Sequence, residues 1–328
     1  MNMTTITLGI DIAKKTFDVA LLRDSKYRTK KFDNKTSGFK GLIKWLNKNK
    51  QGPTAIHVCM EATGAYWQEL ATYFVDLSCK VSVVNPAKIK FFGQSELSRN
   101  KTDKADAKLI AKYCLVMNSD LQNWQPPAKH IRELQSLVRR SESLQKSLIQ
   151  EGNRLETCDA IVKKSCNSLI SAITVELKSI KDTIKSHVAA HEDLQKKSDL
   201  LVTIPGVSHI TVSWVLAFIG DPNLFENAKQ LTAFVGLNPK HRQSGTSVNG
   251  QPHISKMGDS QLRKMLYMPA IVAKQYNPII KDFCDRLLSA GKSKMVVICA
   301  AMRKLLSIIY GVLKNNQPFD PNWKLSTC

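Results

Sequence analysis

The feature that most constrains the fold is a long stretch of chain that lacks helix-breaking residues. No proline occurs between Pro127 and Pro205, no Phe, Tyr or Trp occurs between Trp124 and Trp214, and Gly152 is the only glycine in the first of these intervals. Proline removes a helical hydrogen bond and glycine weakens a helix interior. Their scarcity therefore predicts helices much longer than the average.

Apolar residues in this stretch recur every three or four positions, at Ile173, Leu177, Ile180, Ile184 and Val188. Such heptad-like spacing is typical of a coiled coil. We therefore expect a helical coiled-coil arm over residues 121–198, built as a long antiparallel hairpin with its turn at Gly152 or near residues 165–168. A structural spacer or a dimerisation arm is one interpretation of it, and a direct catalytic role is the other.

Before the arm, residues 1–120 alternate short β-rich runs with helical patterns. Three runs separated by turn residues predict an antiparallel meander, and the order of elements is then βββαβαβ. The predicted strands are residues 5–10, 17–22, 27–32, 55–60 and 81–84. A further helix is predicted from Asp103 to Val116, so this part of the chain is expected to be an α/β domain.

After the arm, residues 199–328 are predicted to be mainly α-helical. Ile204–Val207 predicts a turn between two helices, similar to a helix–hairpin–helix element, and backbone N–H groups in such a turn can hold a phosphate. A plain helical hairpin is the alternative. A flexible, hydroxyl-rich loop is expected from Gly236 to Gly258, followed by helices at about residues 260–276 and 295–313.

The chain carries a large excess of positive charge. Its 48 lysines and arginines outnumber 27 acidic residues, which gives a net charge of +21 at pH 7 and a pI near 9.6. With 43% hydrophobic and 23% charged residues the chain is ordinary globular material, so disorder does not explain the excess. We therefore expect a polyanionic partner such as DNA or RNA.

Several classes of protein are disfavoured by the same sequence. Its eight cysteines form no CxxC pair, which argues against a zinc ribbon or a disulfide scaffold, and the N-terminus does not resemble a secretory signal. The apolar segment 295–313 carries Arg303 and Lys304 at its centre, at a cost of about 2.5–3.5 kcal/mol each in a bilayer. We expect a cytoplasmic bacterial protein without a membrane partner.

Four carboxylates occupy positions where the predicted fold would gather them. Asp11 and Glu61 follow the first and fourth predicted strands, which are neighbours if the five strands form one mixed sheet. Asp103 and Asp106 are three residues apart at a helix start with Thr102 as N-cap. Clustered carboxylates can hold two Mg²⁺ ions about 4 Å apart for phosphoryl transfer. Taken singly, each acid could instead be a turn or helix-start residue.

The motifs around these acids continue in order along nearly the whole chain. They are Gly9-Ile10-Asp11, Glu61–Gly64, Val84-Asn85-Pro86 and Asn100–Ala107, then Ile204–Val207, Phe234–Pro239, Ser244-Gly245, Ile254–Gly258 and Leu266–Ala270. Each motif alone is weakly specific, whereas their joint order is highly specific. Together they resemble the IS110 family of insertion-sequence transposases, which are bridge-RNA-guided recombinases.

The resemblance implies a fold and a set of roles. Residues 1–120 would form an RNase H-like (RuvC-like) domain whose four catalytic acids, Asp11, Glu61, Asp103 and Asp106, ligate Mg²⁺. Residues 199–328 would form a serine transposase domain in which Ser244 is the nucleophile and forms a covalent 5′-phosphoserine link. A serine hydroxyl reacts poorly until its proton is removed and the phosphate charge is neutralised, which the acids and Mg²⁺ would supply.

The resemblance also implies donor and target DNA as partners, a guide RNA that pairs with both, and a homodimer that assembles to a tetramer. One subunit's acidic domain could complete a site with another subunit's serine. With the positive charge, it leads us to expect nucleic-acid contacts at nine residues, namely Lys101, Lys104, Arg139, Arg140, Gly206, Lys240, Arg242, Lys256 and Arg263.

Two other functions stay open at this point. A RuvC-like, Mg²⁺-dependent, structure-selective DNA nuclease would use the same acids to activate water, and Ser244 would then be incidental. A non-catalytic nucleic-acid scaffold would need neither the acids nor the serine.

Overall fold

The computed structural model describes residues 6–64, 66–97, 102–244 and 248–322; the side chains of residue 53 and of residues 241–252 lie outside this description. The chain divides into two compact units, residues 1–127 and residues 128–328. Each unit has its own hydrophobic core. The predicted arm and the C-terminal segment therefore fall mostly within one unit.

The N-terminal unit is built on the predicted five-stranded sheet. Its strands are β1 (Ile6–Ile12), β2 (Thr16–Arg23), β3 (Lys26–Asp33), β4 (Ile56–Glu61) and β5 (Lys80–Val84). Their order across the sheet is β3-β2-β1-β4-β5. The first three strands pair antiparallel, and β4 lies parallel to both β1 and β5. The expected α/β architecture with a mixed sheet is confirmed.

The helices of this unit are α1 (Thr36–Lys48), α2 (Gln68–Asp76), α3 (Pro86–Ser95) and α4 (Asp103–Val116), with a short 3₁₀ helix at Pro53–Ala55. The bounds of α4 agree with the prediction. Helix α3 was not predicted, since no element was expected between the strand that ends at residue 84 and the helix that begins at Asp103. In the structure the Asn85 side chain accepts a hydrogen bond from the Ala87 N–H at 2.8 Å, and Pro86 occupies the first helical position, which it suits well.

The C-terminal unit is mainly helical, as expected. Its elements are α5 (Lys129–Thr157), α6 (Ala160–Ala189), α7 (Glu192–Val202), α8 (His209–Phe218), a 3₁₀ helix (Pro222–Leu224), α9 (Ala228–Val235), β6 (Pro239–Ser244), β7 (Val248–Ile254), α10 (Ser260–Met265), α11 (Tyr267–Tyr276), α12 (Pro278–Ser289) and α13 (Lys294–Asn315).

The long hairpin of α5 and α6 is present, but both predicted positions for its turn are wrong. Gly152 lies inside α5, and residues 165–168 lie inside α6. The helices are instead joined at Cys158 and Asp159, whose ψ angles of 155° and 154° are extended. Two residues in an ordinary extended conformation reverse the chain, so the turn needs neither glycine nor proline and leaves no clear mark in the sequence.

Residues 236–258 are also not the loop that was expected. They contain the antiparallel hairpin of β6 and β7, with an irregularity in the register between Lys240 and Arg242. These strands lack a regular alternation of apolar and polar residues, the signal from which a strand is read. Their pairing depends on backbone hydrogen bonds, which a residue pattern does not reveal.

The helix α13 is the core helix of the C-terminal unit. Among the described residues it is long and apolar enough to cross a membrane. Its apolar face, however, is buried inside the unit, where Val297, Leu305 and Ile309 are fully inaccessible to solvent. The helix predicted over residues 260–276 is divided into α10 and α11 at Leu266.

Candidate active site

Two of the predicted acids lie side by side at one edge of the sheet. Asp11 is near the end of β1, and Glu61 is the last residue of β4. These strands are parallel neighbours, and Ile10 is paired with Met60 immediately before the two acids. The carboxyl ends of adjacent parallel strands therefore present both side chains at the same edge. The Glu61 carboxylate also accepts a hydrogen bond from the Thr63 hydroxyl at 2.6 Å.

A close contact between α4 and β1 brings the other two acids to this edge. A Cβ atom on Gly9 would stand 2.2 Å from the carbonyl oxygen of Ala107 and 2.2 Å from the backbone nitrogen of Ala111. Only glycine leaves room for α4 at this distance. The Thr7 hydroxyl, two residues earlier on the strand, donates to the Ala111 carbonyl at 2.9 Å. The helix therefore runs antiparallel to β1, with its first turn towards Asp11.

The first turn of α4 is capped as predicted. The Thr102 hydroxyl accepts a hydrogen bond from the Ala105 N–H at 3.2 Å, and the Thr102 carbonyl accepts from the Asp106 N–H at 2.8 Å. Asp103 and Asp106 both belong to this turn. The cap holds the helix start in place and so presents both carboxylates beside the sheet edge.

The electrostatics of Asp11 indicate that the other three predicted acids lie near it. Its pKa is raised from 3.8 to about 6, first because the carboxyl is partly buried and then because neighbouring carboxylates repel its negative charge. Those neighbours, in order of decreasing effect, are Asp106, Asp103, Glu61 and Asp18. We call these five carboxylates the acidic cluster.

Asp18 is the member of the acidic cluster that the sequence analysis missed. It lies on β2 directly opposite Asp11 in the antiparallel register, and its side chain is only 14% exposed. The predicted first strand ended at residue 10, which left Asp11 outside the pairing. Extending that strand by two residues and pairing it through the short turn with the second strand would have placed Asp18 opposite Asp11.

The residues of the acidic cluster fit a divalent cation in chemistry and in charge. Carboxylate oxygens are the ligands that Mg²⁺ prefers, and the mutual repulsion that raises the pKa of Asp11 is relieved by a cation. One cation already stands there, because the ammonium group of Lys31 contacts Asp18 at 3.1 Å and Asp103 at 3.3 Å. Among the residues that the structure describes, no group of three or more His, Cys, Asp or Glu side chains is arranged closely enough to hold a metal ion.

The predicted nucleophile belongs to the C-terminal unit. Ser244 is the last residue of β6, and its backbone pairs with that of Val248. The side chains of Ser244 and Arg242 lie outside the description of the structure, and Lys101 lies outside the described residues altogether. Their roles stay predictions.

Five of the predicted nucleic-acid contacts are exposed basic side chains, at Lys104, Arg139, Arg140, Lys240 and Lys256. The guanidinium group of Arg139 lies over the ring of Phe218, 5.1 Å from its centre. One face of the guanidinium group packs on the ring in this way, and its opposite face stays available for a phosphate or a base. Exposure is compatible with the expected contacts and does not test them.

The other two described contacts, Gly206 and Arg263, take part in packing. Gly206 has a φ of +99°, and a Cβ atom there would stand 2.7 Å from the backbone nitrogen of Ala273 in α11. This turn therefore needs glycine for both its conformation and its close approach. Arg263 donates a hydrogen bond to the carbonyl of Val235, near the end of α9, at 2.8 Å. Both residues have a structural role, and a role in binding stays a prediction.

Comparison with known proteins gives two matching family models and several relatives. The first model, described as a transposase, matches residues 8–158, and the second, described as the transposase IS116/IS110/IS902 family, matches residues 198–285. A pilin gene-inverting protein of Moraxella lacunata is 36% identical over 320 residues, which are 97% of this chain and 98% of that protein.

Two further relatives are more distant. The transposase for insertion sequence element IS1328 of Yersinia enterocolitica is 23% identical over 302 residues, 82% of this chain and 86% of that protein. The transposase for insertion sequence element IS1111A of Coxiella burnetii is 26% identical over 244 residues, 64% of this chain and 63% of that protein. The two family models together span the acidic cluster and the segment that contains Ser244.

Proposed function

The chain belongs to the IS110 family of transposases, enzymes that act on DNA, and on this premise we propose that it cuts and rejoins donor and target DNA through a covalent phosphoserine intermediate. The acidic cluster carries the proposal. Of the four carboxylates that follow one another in the family motifs, three lie near the fourth, Asp11, whose pKa is raised to about 6 by burial and by their charges.

We propose a RuvC-like, RNase H-like fold for the N-terminal unit. The strand order β3-β2-β1-β4-β5 supports it, with an antiparallel meander followed by two parallel strands. The location of the acids supports it as well, since they occupy the ends of β1 and β4 and the first turn of a helix that packs on β1.

In the proposed reaction Asp11, Glu61, Asp103 and Asp106 hold Mg²⁺. Bound Mg²⁺ would neutralise charge on the scissile phosphate and favour loss of the proton from the attacking hydroxyl. In the metal-free protein the pKa of the Asp11 carboxyl is about 6, and a bound divalent cation would favour its ionised form. The carboxylates of this unit thus supply the negative field that a divalent cation needs.

Ser244 carries the covalent step of the proposal. Its oxygen attacks the phosphorus atom, the bond from phosphorus to the 3′ oxygen breaks, and that oxygen takes up a proton and leaves as a 3′-hydroxyl. The DNA strand is then joined to serine through its 5′ phosphate. In rejoining, a 3′-hydroxyl attacks the phosphorus and serine regains its proton. Lys240, Arg242 and Lys256 are proposed to hold the phosphate, because cationic donors bind phosphate oxygens strongly.

The proposed partners are donor DNA, target DNA and a guide RNA that pairs with both. The net charge of +21 supports a polyanionic partner, and the RNA rests on membership of the family. We propose a homodimer that assembles to a tetramer, and a cytoplasmic location.

The proposal is tested by trapping the covalent intermediate. Purified protein, its guide RNA and a nicked DNA substrate that stalls rejoining are expected to give a protein–DNA adduct that survives denaturing electrophoresis. The adduct should be absent in Ser244→Ala and Asp11→Asn, and it should persist in Thr246→Ala, which removes a neighbouring hydroxyl group of the same segment.

The same variants separate the two rival functions. All four predicted acids belong to the N-terminal unit, so a nuclease that activates water could work without Ser244. Free cleaved ends at full rate from Ser244→Ala would establish that nuclease and refute the phosphoserine mechanism. Unchanged activity of Asp11→Asn in a separate recombination assay would refute a catalytic role for the acids, as the nucleic-acid scaffold predicts.

A further inference from the structure

Lys31 is a cation that the fold directs at the acidic cluster. In the antiparallel meander Asp11 is paired with Asp18, and Asp18 is paired with Lys31. The three side chains therefore form one row across β1, β2 and β3, on the face of the sheet that α4 covers. The ammonium group of Lys31 reaches a carboxylate oxygen of Asp18 at 3.1 Å and one of Asp103 at 3.3 Å.

The neighbouring lysine on the same strand provides a comparison. Successive residues of a strand point to opposite faces of the sheet. Lys30 accordingly lies on the other face, where its ammonium group stands 5.3 Å from the centre of the Phe32 ring. The two lysines have the same charge and adjacent positions on β3, but only Lys31 contacts carboxylates of the cluster.

The two partners of Lys31 differ in their freedom to move. The Asp18 side chain is 14% exposed and belongs to a central part of the sheet, whereas the Asp103 side chain is 66% exposed in the first turn of a helix. Asp18 therefore anchors the lysine. The Asp103 side chain can rotate away from Lys31 at a small cost in free energy, because an exposed ion pair contributes little to stability.

A carboxylate oxygen that accepts from an ammonium group is less available to a metal ion, and a positive charge within the cluster repels a second cation. We propose that Lys31 is a tethered counter-ion of the acidic cluster. It neutralises Asp103 in the metal-free protein and gives up Asp103, while keeping Asp18, when a divalent cation binds. This inference rests on the proposed function of the cluster as a metal site.

Binding of Mn²⁺ to the full-length protein in the absence of DNA tests the proposal. Mn²⁺ is a probe for the Mg²⁺ site, and its unbound aqua ion is measured directly by electron paramagnetic resonance. At pH 8 and low salt we expect Lys31→Met to lower the Kd for Mn²⁺ by about threefold to tenfold, because a competing charge is removed. The matched variant Lys30→Met should bind as the wild type does.

The outcomes distinguish this inference from the function on which it rests. If the wild-type protein and Asp11→Asn bind Mn²⁺ with the same Kd, the metal site itself is refuted. If Asp11→Asn loses Mn²⁺ binding but Lys31→Met binds Mn²⁺ no more tightly than Lys30→Met, the metal site stands and only the role of Lys31 as counter-ion is refuted. Circular dichroism checks that each variant is folded; if Lys31→Met is not, Lys31→Gln must show the same tighter binding and Lys31→Arg must retain the wild-type Kd.

Discussion

At the level of single residues, Asp11 shows what it costs to gather acids inside a fold. Its carboxyl is partly removed from water and faces four other carboxylates, so its charged form is disfavoured and its pKa rises to about 6. An isolated surface aspartate avoids this penalty. Such a strained electrostatic arrangement is characteristic of functional sites rather than of residues that stabilise a protein.

The raised pKa predicts how stability depends on pH. The unfolded chain ionises Asp11 near pH 3.8 and the folded protein near pH 6, so the folded state loses stability as the pH rises between these values. We expect Asp11→Asn to increase the free energy of unfolding at pH 8, in the absence of divalent cations, by about 1 kcal/mol, a value reduced for solvent screening. At pH 4 the difference should nearly vanish. Urea unfolding at both pH values measures it.

The exposed Asp24, which pairs with its neighbour Arg23 at 3.1 Å, is the control for this prediction. Asp24→Asn removes a carboxylate outside the acidic cluster and should not reproduce the stabilisation expected of Asp11→Asn at pH 8. If Asp11→Asn stabilises the protein equally at both pH values, the raised pKa of Asp11, which comes from its burial and from the neighbouring carboxylates, is not the cause.

At the level of secondary-structure elements, the acidic cluster depends on how closely α4 packs on the sheet. Gly9 and Ala20 are paired across β1 and β2, and Ala20 is buried together with Ala107 and Ala111 of the helix. Small residues on both surfaces let the helix backbone approach the strands. The distance between Asp11 and the first turn of α4 is thus set by residues that have no chemical role.

Gly9→Ala tests this dependence. Its added Cβ atom would stand 2.2 Å from backbone atoms of α4, so the helix must shift. We expect a loss of about 1–3 kcal/mol of stability, as is typical of overpacking. We also expect a lower pKa for Asp11, because the carboxylates of α4 move away. Chemical denaturation and NMR titration of the Asp11 carboxyl group measure the two effects.

The matched control for this variant is Gly41→Ala in α1. There the new Cβ atom would meet the Phe32 ring at 3.6 Å, an ordinary contact. Stability should be unchanged or slightly increased, and the pKa of Asp11 should not move. A pKa of Asp11 that stays at about 6 in Gly9→Ala, despite reduced stability, would mean that the approach of α4 does not control the cluster.

The helical hairpin offers a separate prediction about its own stability. Gly152 lies within α5 and Gly291 follows α12, and neither has an atom within 4 Å of the position that a Cβ would take. Gly291 has a φ of +74°, which disfavours any side chain. Gly152→Ala should therefore stabilise the protein by about 0.5–1 kcal/mol, and Gly291→Ala should destabilise it by about 1 kcal/mol. Denaturant unfolding measures the change in the free energy of unfolding for each variant. Changes of the same sign would contradict the explanation from backbone conformation.

At the level of the whole molecule, the chemistry of the proposed reaction is divided between two compact units. The carboxylates of the acidic cluster belong to residues 1–127, and Ser244 belongs to residues 128–328. The chain as a whole has an excess of 21 positive charges. The acidic cluster is therefore a local exception in a basic protein, which suits a metal site that works on a polyanion.

If one subunit supplies the acids and another supplies the serine, two inactive variants should complement each other. In a mixed dimer of Asp11→Asn and Ser244→Ala chains, one composite site contains a native aspartate with a native serine. The mixture should then regain a measurable part of the recombination activity that neither variant has alone.

Two comparisons make this experiment decisive. A mixture of Asp11→Asn with the double variant Asp11→Asn/Ser244→Ala contains no native aspartate and should stay inactive. No recovery in the first mixture, in which mass spectrometry shows that mixed oligomers have formed, would place both residues of each site in a single subunit.

Comparison of sequence and structure shows which signals are local. Helix α4 agrees with its prediction because its cap at Thr102, its acidic first turn and its apolar spacing all lie within a few neighbouring residues. The long helices follow in the same way from the absence of proline, and the mixed sheet follows from the order of short β-rich runs. Asp11, Glu61, Asp103 and Asp106 could be named because each lies at the end or the start of such an element.

The sequence by itself thus determined the strands of the N-terminal sheet and most helices, their order, and the four acids as candidates. The tertiary structure decided which residues meet. The register of β1, β2 and β3 placed Asp18 and Lys31 beside Asp11, and Gly9 admitted α4 at backbone contact distance. Propensity and capping act between near neighbours in the chain, whereas register and close packing depend on complementary surfaces that distant segments form only when they are folded together.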